Sequence, residues 1–164
     1  MFKKISPWIF LSVFALSSCG GGQQTSVLQA QVANLQDQVS HSFRPPFWFF
    51  MLTVQIHHNK LWFAGINSNW DLAQFNYNKI KEAVQDIQKF EVDSPQTAQI
   101  VMIKRFLDSM QVAISSKNVA HFKHAYVLLT NTCNNCHRAV KYPMNVIQTP
   151  TEPPFTDQDF KPKQ

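Results

Sequence analysis

The chain has 164 residues, a formal charge of +5 and 14 Phe with 4 Trp, a length that suits one domain with a real core. Its Lys and Arg are scattered rather than clustered into a stripe, which excludes a nucleic-acid binder. With three cysteines in all, a disulfide-rich scaffold is excluded as well.

Residues 1–18 read as a targeting segment. Lys3 and Lys4 form a charged start, and the apolar run from Trp8 to Leu16 is too short to span a bilayer. The sequence Leu16-Ser17-Ser18-Cys19 resembles the lipobox of bacterial lipoproteins. That resemblance implies cleavage before Cys19 and a lipid on its sulfur, which would fix the protein to a membrane. Gly20 follows where inner-membrane lipoproteins usually carry Asp, so the resemblance implies the periplasmic side of the outer membrane rather than the inner. An ordinary secretory signal with a stray thiol is the alternative.

Residues 19–46 are expected to form a lipid-anchored stalk. Leu28, Val32, Leu35 and Val39 are spaced 4, 3, 4 in a Gln-rich background, a helical pattern too short to argue a coiled coil. Arg44-Pro45-Pro46 breaks it.

Four amphipathic helices are predicted over residues 47–142. The first, over 47–64 and ending near Gly65, carries Phe47, Met51, Val54, His58, Leu61 and Gly65 on one seam. The second starts at a capping Asn69, with Ala73, Tyr77, Ile80, Val84 and Ile87 facing inward. The third begins with Ser94 as cap and Pro95 at its first position, and buries Ile100, Ile103, Leu107, Met110 and Ile114. Asn118 caps the fourth, whose seam is Phe122, Tyr126, Leu129, Cys133, Cys136 and Val140. Residues 143–164 hold five prolines and read as an extended tail pinned by Ile147, Phe155 and Phe160. The expected fold is all-α: an antiparallel four-helix bundle between an N-terminal helical stalk and a Pro-rich C-terminal tail.

The chemistry concentrates in Cys133-Asn134-Asn135-Cys136-His137. A C-x-x-C-H run reads as covalent c-type haem attachment, two thiols adding to the vinyl groups of one porphyrin while the next side chain reaches iron. On a helix these three side chains share a face. Zinc would want four ligands, and only His121 and His124 lie near. A thioredoxin-like pair would sit near a β-α-β pattern, which is absent from the sequence, and a plain disulfide would not call for the adjacent His. One haem c takes two thiols and lipid takes the third.

C-x-x-C-H near the end of the last of four helices resembles the class II cytochromes c, the cytochrome c′ group. The resemblance covers residues 47–142 and implies a haem gripped by Cys133 and Cys136 with His137 on iron. It also implies that the opposite iron face looks toward the first helix, where His58 is the candidate distal ligand or pocket residue and His57 its neighbour. Met51 is a rival if that helix slides by two turns. Met102 and Met110 read as core filling, and Met144 follows His137 too closely to reach the far face. Trp62, Tyr126 and Leu129 are candidates for the haem wall, with Trp70 beside them. Lys60, Arg138 and Lys141 are candidates to pair with propionates. The chain departs from the group in its long tail after His137 and in its lipoprotein-like start.

The function expected is a monohaem c-type cytochrome carrying electrons in the cell envelope. Its partners would be a redox protein, the membrane through Cys19, and a second copy in a dimer. The alternatives are an NO- or CO-binding haem protein with an open distal site, and a structural haem lipoprotein. Nothing in the sequence marks a nucleophile, an acid–base pair or a substrate pocket, so no enzyme is expected.

Overall fold

A computed structural model describes residues 21–42 and 45–163. Residues 1–18, expected to be a targeting segment, and Cys19 lie outside the described residues, as does Arg44 of the expected break. The chain divides into two units, Met1–Phe43 and Arg44–Gln164. In the first, α1 (Gly21–Ser42) is a single helix whose Leu28, Val32 and Leu35 are exposed.

The second unit contains α2 (Phe47–Ile66), α3 (Trp70–Phe90), α4 (Pro95–Ile100), a 3₁₀ turn η1 (Val101–Ile103), α5 (Lys104–Ser115) and α6 (Val119–Ala139). There is no strand among the described residues, and the molecule is all-α. None of the described helices is long and apolar enough to cross a membrane.

Local chemistry accounts for the helix ends. Asn69 accepts from Leu72 N–H at 3.2 Å and Asn118 from His121 N–H at 3.0 Å, each satisfying a first-turn donor. Ser94 stands at the N-cap of α4 but does not cap it, because its hydroxyl is turned onto the Gln96 carboxamide. Pro95 takes the first helical position, where its missing N–H costs nothing. The predicted third helix is interrupted: η1 tightens the backbone between α4 and α5 and keeps both Ile100 and Ile103 buried.

Gly65 does not end the first helix. It lies within the last turn of α2, and the residue that leaves the helix is Ser68, at φ 58°. Asn69 N–H then bonds Ala64 O and Ser68 N–H bonds Gly65 O, the pair of contacts that defines a Schellman turn. The same motif closes α6. Lys141 adopts φ 65°, Tyr142 N–H bonds His137 O at 2.8 Å and Lys141 N–H bonds Arg138 O.

The core is built where the helical spacing places it. Ala73, Tyr77, Ile80, Val84 and Ile87 of α3 are buried, as are Leu107, Met110 and Ile114 of α5 and Phe122, Tyr126 and Leu129 of α6. Helix α2 packs on α3 and α6, and α5 packs on α3 and α6. After α6 the chain returns irregularly across this core. Ile147 is half-buried, Lys60 Nζ stands 4.6 Å over the Phe155 ring, and Phe160 is buried against Phe63 at 5.6 Å. Lys161 O then accepts from Asn69 Nδ2.

Candidate functional site

Cys133, Cys136 and His137 fall on the inward face of α6 because the 4, 3, 4 spacing of its seam continues through the motif. Both thiols are free, and all three side chains are buried. Burial first, and the neighbouring Cys136 second, push the Cys133 thiol up to about 12, and burial raises Cys136 too. Both sulfurs are therefore protonated at neutral pH, unlike the thiolate of a disulfide-exchange site.

The motif opens onto an apolar cavity of about 20 Å³ lined by Met51, Val54, Ile100, Met102, Ile103 and Thr132 besides the three motif residues. This volume holds one water-sized sphere. A porphyrin is far larger, so holding one would require the elements that line the cavity to part. The donor set itself fits a haem: two reduced thiols one helical turn apart, an imidazole beside them, thioether sulfurs on the opposing elements and no charged group in the lining. Among the described residues no three His, Cys, Asp or Glu side chains gather to hold a bare metal ion.

His137 is oriented by the tail. Its Nδ1 donates to Asn145 O at 2.6 Å, which leaves the Nε2 lone pair free. Asn134, inside the motif, is tied to the same stretch: Nδ2 donates to Ile147 O and Oδ1 accepts from Ile147 N–H, both at 2.8 Å. Sequence reasoning missed Asn134 and Asn145. A carboxamide in a motif position that tolerates any residue is the only signal the sequence offers.

His58 is buried, at 4% exposure, but it is not among the cavity-lining residues. Its Nε2 meets Thr130 Oγ1 and its Nδ1 meets the Tyr126 hydroxyl, both at 2.9 Å. The two hydroxyls also reach His58 O and Tyr126 O. With the ring neutral, three protons serve these four contacts. Burial lowers the His58 pKa to about 4, and no acidic side chain opposes it.

Trp62, Tyr126 and Leu129 are not among the cavity-lining residues. Tyr126 stacks on His58 at 4.4 Å and meets Trp62 at a tilt at 4.9 Å, and Trp70 meets Phe122 edge-on. His57 is paired with Asn76 at 2.8 Å. Among the candidate propionate partners, Lys60 covers Phe155 and Arg138 bonds Asn135, so neither enters the cavity lining. His121 and His124 are exposed on α6. Comparison with family models, with curated proteins and with solved structures gave no match.

Proposed function

We propose that this chain is a monohaem c-type cytochrome that carries electrons in the cell envelope. The observation that supports it best is the grouping of Cys133, Cys136 and a His137 with its Nε2 lone pair free at one wall of an apolar cavity. In attachment each thiol would add across one vinyl C=C bond, sulfur to one carbon and the thiol proton to the other, with no net redox change. The haem so held supplies a one-electron Fe(III)/Fe(II) couple.

In this reading the helices form an antiparallel four-helix bundle. Three groups of neighbours support that: Cys133 beside Val54 at one end, Tyr126 and Thr130 beside His58 midway, and Phe122 against Gly65 at the other. The same register favours Met51 over His58 as the second side chain that would hold the iron. Met51 shares the cavity with His137, while both ring nitrogens of His58 are engaged elsewhere. A Met sulfur opposite His would favour low-spin iron and raise the reduction potential. The chain's own contribution is to orient the imidazole, present the thioether and keep the porphyrin dry between Val54, Ile100 and Ile103. A lipid on Cys19 would hold the domain at a membrane surface, within reach of a redox partner.

Optical and resonance Raman spectra of the natively produced protein test this directly. The expected result is one covalent haem, six-coordinate and low-spin, which Met51→Ala converts to a five-coordinate form and His58→Ala leaves intact. Material lacking covalent haem by mass spectrometry would overturn the reading. The apolar lining also favours a second one, an NO- or CO-binding haem protein. A wild-type ferrous form that is already five-coordinate and takes up CO would select it.

A further inference from the structure

In a C-x-x-C-H motif the sulfurs and the imidazole are specified, and the two intervening residues are unconstrained. Here the first of them is committed. Asn134 grips Ile147 through two hydrogen bonds of 2.8 Å, one given and one received. Two residues before Ile147, Asn145 O receives the His137 Nδ1–H at 2.6 Å. The near end of the segment is fixed as well, since the turn at Lys141 bonds Tyr142 N–H to His137 O. Residues 142–147 are therefore held on both sides of the one carbonyl that touches the imidazole, and Asn134 supplies the far fastening.

We propose that Asn134 is a positioning residue for His137, acting through the clamped segment 142–147. It fixes the ring's orientation and its Nδ1–H tautomer, and it strengthens the electron donation of Nε2. A carbonyl accepting the Nδ1 proton shifts charge onto the ring and raises its basicity as a ligand. The consequence for iron rests on the haem reading above; the tautomer does not. A stronger imidazole donor favours the ferric state, so loosening the clamp biases the iron toward the ferrous state.

The test compares wild type, Asn134→Ala and Asn135→Ala as haem-loaded full chains. Asn135→Ala is the control, because that side chain takes a bond from exposed Arg138 and none from the tail. Asn134→Ala is expected to favour the ferrous form about tenfold, roughly 59 mV for one electron, and, in a Met51→Ala background whose ferrous iron is five-coordinate, to lower the iron–histidine stretching frequency. Asn135→Ala is expected to match wild type. An Asn134→Ala substitution that changes neither potential nor stretch would overturn the proposal.

A second readout needs neither haem nor a stable variant. Nitrogen NMR of the full-length chain without haem is expected to show His137 as the Nδ1–H tautomer, and an Nε2–H tautomer would overturn the clamp. A chain that never acquires haem yet shows the Nδ1–H tautomer would sink the cytochrome reading and leave the clamp standing.

Discussion

His58 is a neutral imidazole in a place where its charge would be costly. Its pKa falls to about 4 on burial, against an ordinary value of 6.5. The unfolded chain therefore takes up a proton at a higher pH than the folded one. The folded state keeps its full advantage above pH 6.5 and loses it as the pH falls toward 4, by roughly 3 kcal/mol across that window. Urea midpoints measured from pH 7 to pH 4 should fall steeply for wild type and less so for His58→Gln. The cysteines carry a parallel expectation. In the folded chain without haem, Cys133 should alkylate at pH 8 far more slowly than an ordinary thiol, because burial and Cys136 keep it protonated. Timed labelling followed by mass spectrometry measures this. Sequence spacing was enough to show that His58 and Cys133 both face inward. It carries no information on how far α2 is slid along α6, and that register decides whether Met51 or His58 stands opposite the thiols.

Helices α2 and α6 approach closely because Gly65 has no side chain. A Cβ there would stand 2.1 Å from the Phe122 ring, which is fully buried and has nowhere to retreat. Gly65→Ala should cost about 1–3 kcal/mol by overpacking, seen as a lower thermal midpoint. Lys141, at φ 65°, holds the left-handed position that closes α6. Lys141→Gly should stabilise the fold by up to about 1 kcal/mol by relieving that strain, and it should leave the Asn134–Ile147 pair in place. The buried faces of α3, α5 and α6 could be read from periodicity because each helix shows the core one stripe. The exits at Ser68 and Lys141 could not, since neither residue favours a left-handed backbone, yet both adopt one in the turns that close α2 and α6. The break at η1 was equally hidden: Ile100 and Ile103 fit an uninterrupted helix as well as a 3₁₀ turn.

The helical class of the whole chain follows from its repeating apolar spacing, and the 4, 3, 4 pattern over α1 agrees with the helix found there. The course of the tail was much less legible, because an irregular chain has no period and its hydrogen bonds go to partners far along the sequence. On the haem reading, loading is expected to displace the backbone around Ile100 and Ile103, whose buried side chains line the cavity. Hydrogen exchange of haem-loaded and haem-free protein should differ most at those amides. Exchange of α3, whose buried stripe lines none of the cavity, should change little.

The return path of the tail also has a practical consequence. Phe160 rests on Phe63, twelve residues beyond Met51 on α2, about 18 Å along the helix axis. The stretch of tail around Phe160 therefore lies well away from the thiols. Deleting everything past Tyr142 to shorten the protein would nonetheless strip the support from behind the imidazole.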